Sequence, residues 1–187
     1  MRVLLHTCCG PCASACLTRL KDCGHEVAMF YSNSNIDTAE EFEKRRLSAV
    51  RLAEADGVKI ETGEYLHDEW LDNVARGYEN EKEKGERCER CFRYNLMKTA
   101  AFAKVNGYDA FSTSLTVSPH KVSRVIFKCG TDGEIESGVK FLAEDFKKRD
   151  GFKLSCSRAL ELGLYRQSYC GCEFSRRNTE VRNQSDL

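Results

Sequence analysis

Short apolar segments alternate along this sequence with longer stretches that have the periodicity of amphipathic helices. The apolar segments predict four strands, at residues 2–7, 26–31, 58–61 and 109–114. Because parallel strands must be joined by crossovers, which are usually helical, the alternation predicts an α/β fold with a parallel sheet. Ligands of such sheets bind beyond the carboxyl ends of the strands, so residues that follow a strand are the first candidates for a site.

The helical stretches have recognisable ends. Thr38 and Glu41 form a capping box that opens one helix, and Gly57 is expected to end it. A turn is expected at 130–133, and a further helical stretch begins near Pro119. Including this helix at 38–57, helices are predicted at 13–22, 38–57, 67–76, 87–105, 135–148 and 157–164.

The composition fits one globular domain. Of the 187 residues, 29 are Lys or Arg, 29 are Asp or Glu, and 41% are hydrophobic. This balance excludes a disordered chain and a polybasic nucleic-acid coat, and no apolar run approaches the roughly 20 residues of a membrane span. We expect a cytoplasmic protein with no membrane or DNA partner, in which residues 1–177 form a single catalytic domain and residues 178–187 a frayed tail.

Eleven cysteines are unusual in a chain with no visible export signal. Where thiols stay reduced, grouped cysteines indicate metal ligands or redox catalysts. Seven of them form three groups: Cys8, Cys9 and Cys12; Cys88 and Cys91; Cys170 and Cys172. The other four are isolated and are expected to be small buried hydrophobic residues: Cys16, Cys23, Cys129 and Cys156.

The first cysteine group directly follows the first predicted strand. With Cys88 and Cys91, Cys8 and Cys9 supply four thiolates, enough for a 4Fe-4S cluster or a structural zinc ion. Adjacent side chains diverge, which suits the separate corners of a cluster, but the residues alone leave both interpretations open. The segment CGPC at 9–12 also matches the dithiol of thioredoxin, so a thiol–disulfide oxidoreductase is an alternative.

Cys170 and Cys172 flank a single glycine, Gly171, which supplies backbone freedom. They could form a strained, redox-active disulfide, or both could bind a metal. Two histidines also lie near the predicted site. His6 is expected to be a buried, hydrogen-bonded core residue, and His120, beyond the fourth strand, is expected to face the same cleft.

Five segments together resemble the QueH-type epoxyqueuosine reductases and span nearly the whole chain. The segments are HTCCGPC at 6–12, RCERCF at 87–92, FSTSLTVSPHK at 111–121, EDFKKRDG at 144–151 and LYRQSYCGC at 164–172. The family pattern has CCAPC or CCAPD in the first segment. We expect Gly10 in place of that alanine to be harmless, while the variable last position leaves the role of Cys12 open.

The resemblance implies a three-layer, Rossmann-like fold related to the nucleotide α-hydrolases, with a helical C-terminal portion. It implies a 4Fe-4S cluster on Cys8, Cys9, Cys88 and Cys91, and no cobalamin. A second, mononuclear iron is also implied, and its candidate ligands are Cys12, Cys170 and Cys172.

The activity implied by the resemblance is the two-electron reduction of epoxyqueuosine to queuosine, with release of water, at the wobble position of tRNAs with GUN anticodons. An external donor would supply the electrons, and a metal ion could act as Lewis acid on the epoxide oxygen. Cys12, Cys170 and Cys172 are expected to take part in catalysis, with Tyr169 or His120 as proton donor. The residues expected to bind tRNA are Arg87, Arg90, Lys121, Lys147, Lys148 and Arg166. A zinc-stabilised tRNA-binding module without catalysis is the alternative from another class.

Overall fold

Five parallel strands form one sheet in the structure, a computed structural model that describes residues 1–176. The strands lie in the order β3-β2-β1-β4-β5, so the sheet is wound in opposite directions from β1. The predicted α/β fold is confirmed. The strands are β1 (Arg2–His6), β2 (Glu26–Tyr31), β3 (Ile60–Thr62), β4 (Ala110–Thr113) and β5 (Lys140–Phe141).

Helices cover both faces of this sheet and make three layers. Leu5 belongs to a core with Leu17 and Leu52, whereas its neighbour Leu4 belongs to a separate core with Ala100. Alternate residues of β1 therefore pack against opposite helical layers. The helices are α1 (Gly10–Asp22), α2 (Ala39–Asp56), α3 (His67–Trp70), α4 (Glu86–Val105), α5 (Ser123–Ser137) and α6 (Gly151–Glu161). A π-helical turn, Leu71–Ala75, continues α3, and a 3-10 turn, Ser114–Val117, follows β4.

The ends of α2 follow the sequence signals. The Thr38 hydroxyl accepts a hydrogen bond from the backbone N–H of Glu41 over 3.1 Å, and Gly57 ends the helix in the left-handed region at φ 61°. The predicted helix at 87–105 is also confirmed, as α4.

The predicted turn at 130–133 and the predicted helix at 135–148 are wrong. Gly130 and Gly133 both lie inside α5, where they permit close packing and do not reverse the chain. A Cβ at Gly130 would overlap the ring of Phe141. That ring belongs to β5, a two-residue strand too short to leave a periodic signal in the sequence. In addition, α6 begins at Gly151, six positions before the predicted start at 157.

Within residues 1–176, no helix combines the length and the apolarity that crossing a bilayer requires. The predicted tail at 178–187 lies outside the described residues.

Candidate metal centre and active-site cleft

The first cysteine group lies in the turn between β1 and α1, next to the point where the winding of the sheet reverses. Cys9 is the N-cap of α1, and a close contact with α2 fixes the turn. A Cβ at Gly10 would overlap the backbone oxygen of Ser48, so the two helices approach too closely for any side chain here. Glycine is therefore the residue that this contact accommodates at position 10.

The sulfur atoms of Cys8, Cys9 and Cys12 all lie within 4.8 Å of one another. The Cys8 and Cys9 sulfurs are 3.9 Å apart, so the argument that adjacent cysteine side chains must diverge is wrong here. Tetrahedral thiolates about 2.3 Å from one metal ion are separated by a similar distance. The donor set therefore suits a thiophilic metal, and Cys12 belongs to the same sulfur group as the adjacent pair.

Cys88 and Cys91 lie in the first turns of α4, and Cys91 lines a small inner cavity that Cys8 also lines. Cys8, Cys91 and Cys170 line that cavity together. Cys88 also packs in the apolar cluster that includes Cys8. The second cysteine group thus lies close to the first, with Cys88 in the same apolar cluster as Cys8 and Cys91 on the wall of the same inner cavity.

A larger cleft of about 430 Å³ adjoins the inner cavity, and its size is typical of small-molecule sites. Phe92, Lys121 and Cys170 line both. Four of the grouped cysteines line the larger cleft: Cys12, Cys88, Cys170 and Cys172. All seven grouped cysteines therefore lie in or beside these adjoining cavities.

The segment that carries Cys170 and Cys172 is fastened to α2 and to the loop before it. The buried Arg45 guanidinium donates hydrogen bonds to the backbone oxygens of Cys170, over 2.9 Å, and Tyr169, over 3.3 Å. The backbone N–H of Asp37 donates to the oxygen of Gly171 over 2.9 Å. Gly171 has φ 142°, and a Cβ there would press on the Arg45 side chain, so glycine is required for this close approach.

Polar groups outside the cysteine motifs donate hydrogen bonds to the sulfur atoms. Gln167 Nε2 lies 3.1 Å from Cys9 Sγ, and Ser114 Oγ lies 3.3 Å from Cys8 Sγ. Asn95 Nδ2 lies 3.6 Å from Cys91 Sγ, one helical turn away. Sequence analysis missed these three residues, although the i, i+4 spacing of Cys91 and Asn95 could have indicated the last. Such bonds orient metal ligands and tune their electronic properties.

Lys121 lines both cavities beside the cysteine centre, and its predicted contact with tRNA stays a prediction. Burial would lower the pKa of its ammonium group, but nearby sulfurs, that of Cys170 foremost and then that of Cys8, raise this pKa above its usual range. Lys147 holds the loop in place, because its Nζ donates to the backbone oxygen of Lys121 and to Ser123 Oγ, each over 2.8 Å. A positive charge is thereby fixed beside the thiols.

Charge is shared unevenly among the sulfurs. Hydrogen bonds from Cys12 and then Cys9 hold the pKa of the Cys8 thiol well below its ordinary value. Burial raises the pKa of the Cys91 thiol well above it. Of Cys8 and Cys91, Cys8 is therefore the thiol that ionises first when no metal is bound.

The candidate proton donors occupy different positions. The Tyr169 hydroxyl donates to Asp37 Oδ1 over 2.6 Å, and burial together with this bond raises the pKa of Tyr169. His120 is exposed and lines the large cleft. His6 is a buried core residue, as predicted: its Nε2 faces the Ser32 backbone oxygen at 3.2 Å and Nδ1 faces Thr113 Oγ1 at 3.0 Å. Because a carbonyl oxygen only accepts, Nε2 carries the proton.

The arginines of the RCERC segment bind backbone rather than solvent. Arg87 is 2% exposed, and its guanidinium donates to three backbone oxygens between residues 78 and 81 and packs on Phe174. Arg90 donates to the backbone oxygens of Asn73 and Val74. These contacts give both arginines a structural role and occupy the guanidinium groups that were predicted to bind tRNA. Lys148 and Arg166 are exposed.

The isolated cysteines differ from one another. Cys16 and Cys129 are buried in apolar clusters, as predicted. Cys23 is exposed at the end of α1, and Cys156 lines the large cleft with its sulfur 3.3 Å from Arg166, so the predicted burial is wrong for these two. All eleven cysteines lie within the described residues and all are free, so Cys170 and Cys172 form no disulfide in this structure.

A parallel sheet with a thiol-lined cleft at its switch point defines an α/β protein of the Rossmann type, with a group of cysteines that suits a metal centre. The family model described as Epoxyqueuosine reductase QueH matches residues 3–178, and the chain belongs to this family. A relative with that name from Streptococcus pyogenes serotype M1 is 36% identical over 92% of this chain and 69% of its own length. Another, from Thermotoga maritima, is 36% identical over 92% of this chain and 89% of its own length.

Solved structures share the fold. A predicted subunit of tRNA methyltransferase from Methanocaldococcus jannaschii has a TM-score of 0.58 at 15% identity, over 83% of this chain and 74% of that one. The U34-tRNA thiolase NcsA from Methanococcus maripaludis, solved with its [4Fe-4S] cluster, also has a TM-score of 0.58, at 12% identity, over 100% of this chain and 65% of that one. At these identities the likeness shows the fold alone, a parallel sheet covered by helices, as predicted.

Proposed function

We propose that this chain reduces the epoxide of epoxyqueuosine, at the wobble position of tRNAs with GUN anticodons, to the alkene of queuosine. The reaction consumes two electrons and two protons and releases the epoxide oxygen as water. The observation that carries the proposal is the meeting of cysteines from three distant segments: six line two adjoining cavities, and the sulfur of the seventh, Cys9, lies within 4.8 Å of those of Cys8 and Cys12. Membership of the epoxyqueuosine reductase family supplies the substrate and the reaction.

The donor set fits an iron–sulfur cluster with a second metal beside it. Cys8, Cys9, Cys88 and Cys91 would hold a 4Fe-4S cluster, since thiols from β1–α1 and α4 face the same inner cavity. Cys12, Cys170 and Cys172 remain as ligands for a mononuclear iron at the cleft. When bound, these groups would transfer electrons singly and polarise the epoxide oxygen. Seven grouped thiols exceed the four that a structural zinc site uses, which favours the reductase over a zinc-stabilised module.

Residues of the chain itself orient the reaction. Arg45 and Asp37 hold the segment that carries Cys170 and Cys172 against the cleft wall. Tyr169 keeps its proton at Oη, bonded to Asp37, and can pass it to a leaving oxygen. His120 is the alternative donor at the cleft mouth. The fixed ammonium of Lys121 offsets negative charge that accumulates on the thiolates.

The substrate base is in an anticodon loop, so it can enter the cleft without melting a duplex. Arg166 is an exposed cation that lines the cleft and can bind a phosphate group of the loop, and Lys148 is a second exposed cation available for phosphate. The electrons must come from an external donor, because the thiols and metal centre only relay them. A cytoplasmic location remains a prediction that accompanies a tRNA substrate.

The test is anaerobic reconstitution of the full chain with iron and sulfide, followed by incubation with epoxyqueuosine-containing tRNA and a chemical reductant. We expect several irons per chain, broad absorption at the visible–ultraviolet boundary, and conversion to queuosine. Cys88→Ser should lose the absorption and the product, whereas the matched control Cys23→Ser, at an exposed thiol away from the cleft, should keep both. Full turnover by Cys88→Ser would remove the cluster from the proposal. Stoichiometric zinc with tRNA binding but no product would favour the zinc module, and reduction of disulfides without iron would favour a thiol–disulfide oxidoreductase.

A further inference from the structure

An exposed aromatic ring lies at the mouth of the large cleft and has no part in the proposed chemistry. Phe152, in the first turn of α6, is 42% exposed and lines the cleft. Val122 is 43% exposed and lines the same cleft. Of the large apolar side chains exposed within the described residues, these two alone border the cleft, so an apolar patch is open to whatever enters it.

A cation, the guanidinium group of Arg166, lines the same cleft as this ring. Phe152 and Cys156 are four residues apart on α6 and therefore share one face of the helix, and both line the cleft. The guanidinium of Arg166 lies 3.3 Å from Cys156 Sγ, and Arg166 itself is exposed and lines the cleft. An aromatic ring and a guanidinium group thus line the same cleft, with Cys156 near both.

Hydrogen bonds and close packing anchor the backbone at the start of α6, which carries Phe152. Arg19 donates to the backbone oxygen of Lys148 over 2.7 Å and pairs with Glu144 over 3.2 Å. Gly151 packs directly on the backbone of Phe146, where no side chain would fit. An aromatic ring on a fixed support loses little entropy when it binds a flat partner.

We infer that Phe152 and Arg166 form a nucleotide-binding step at the cleft mouth, where the ring stacks on an unpaired base next to the base that enters the cleft and the guanidinium binds the adjoining phosphate. Bases of single-stranded RNA stack on exposed aromatic rings, and phosphates bind neighbouring cations. This inference rests on the proposed function for its RNA partner. It adds a recognition element for a flanking nucleotide, which neither the cysteine centre nor the proton donors supply.

The test measures binding of an anticodon stem-loop RNA to the anaerobically purified full chain. The RNA lacks queuosine-type modifications and carries the fluorescent base 2-aminopurine next to the wobble position. Stacking on Phe152 quenches the fluorescence of this base. We expect Phe152→Ala to weaken binding about 5- to 100-fold and to abolish the quenching. Phe152→Tyr keeps a ring and should restore both within about twofold.

Two further variants provide controls. Leu154→Ala removes an apolar side chain that is 55% exposed on the same helix but does not line the cleft, and it should bind like the unmodified chain. Arg166→Met should weaken binding and reduce the slope of log affinity against log salt by about 0.7, the value for one phosphate contact on a single strand. The iron content of each variant should match that of the unmodified chain.

The outcomes separate the inference from the proposed function. If the unmodified chain binds and reduces tRNA but Phe152→Ala binds within twofold with the quenching intact, the inference is overturned and the reductase stands. If the unmodified chain does not bind the stem-loop, the RNA substrate and the inference fail together. If Phe152→Ala binds RNA normally but slows reduction by a protein electron donor, the patch is a donor-docking site and the inference is overturned.

Discussion

The guanidinium group of Arg45 donates a hydrogen bond to the backbone oxygen of Cys170 over 2.9 Å, across 125 positions of sequence. The same group pairs with Glu41 over 2.7 Å and lies 5.0 Å from the centre of the Tyr169 ring. Both charged side chains are almost fully buried. The position of Cys170 and Cys172 therefore depends on α2 and not only on the segment that carries them.

Replacement of Arg45 by methionine should detach this segment. It leaves the Glu41 carboxylate buried without its partner, a change that costs about 3–5 kcal/mol of unfolding free energy. Iron content after reconstitution should fall, because Cys170 and Cys172 lose their support. The matched control is Arg46→Met, since Arg46 pairs with Glu43 on its own helix and is more exposed. Equal stability and iron content in the two variants would contradict the assignment.

Gln167 should tune the electron affinity of the centre through its bond to Cys9. The bond stabilises the more negative, reduced state, so Gln167→Leu should make the reduction potential more negative by about 20–60 mV. Electrochemical titration of the reconstituted protein measures the shift. Ser168→Ala, at an exposed neighbouring position, should leave the potential unchanged. A Gln167→Leu potential equal to that of the unmodified chain would show that the bond does not persist in the metal-bound state.

Lys121 should raise the reduction potential of the centre through its positive charge, as Gln167 does through its hydrogen bond. Loss of a positive charge beside the sulfurs disfavours the reduced state, so Lys121→Met should make the potential more negative by on the order of 100 mV. Lys147→Met should give a smaller shift of the same sign, because it releases the loop that carries Lys121. Lys148→Met is the control, since its side chain is exposed and its backbone alone makes the contact with Arg19. A larger effect of Lys148→Met on the potential than of Lys147→Met would contradict this arrangement.

The Lys121 result illustrates what sequence could and could not predict. Strand periodicity placed Cys8 at the edge of the sheet, because the end of a parallel strand is a local feature. Residue type alone does not say whether a lysine faces solvent or a buried thiol group. That choice depends on contacts such as the one between Lys147 and Lys121, which only the fold brings together.

Gly130 and Arg87 make the same point for the fold and for the surface. A glycine within a helical pattern is read from sequence as a turn signal. Here Gly130 permits the close approach of Phe141, a contact that local sequence rules do not predict. Arg87 is basic and adjacent to a metal motif, but the backbone oxygens that it binds come from a polar loop with no periodic signal. Chemistry that depends on residue type was predictable, whereas the burial of charged side chains was not.

Gly10→Ala should destabilise the chain and disturb the cysteine turn. The added Cβ would overlap the Ser48 backbone oxygen, which cannot rotate away, so α1 and α2 must separate. Overpacking of this kind costs about 1–3 kcal/mol of unfolding free energy. Denaturant unfolding of the unmodified chain and the variant under anaerobic conditions gives the difference. A difference below about 0.5 kcal/mol would mean that the helices move apart freely and that the contact does not position Cys9.

The ion pair between His67 and Glu173 should make stability depend on pH. His67 Nε2 lies 3.5 Å from Glu173 Oε1, and this interaction raises the pKa of His67 above its ordinary value near 6.5. Because the folded pKa is the higher one, the stabilisation is complete below about pH 6 and is lost as the pH rises through the folded pKa.

Unfolding free energies of the unmodified chain and of His67→Gln, measured from pH 5.5 to 9, test this sign. The advantage of the unmodified chain should be greatest at the acidic end, at up to about 1 kcal/mol for a partly exposed pair, and should shrink toward pH 9. Glu173→Gln should remove the pH dependence while leaving the Nδ1 contact with the Ser34 backbone oxygen intact. An advantage that grows with pH would mean that His67 is held neutral and that the pair does not fasten the segment after Cys172.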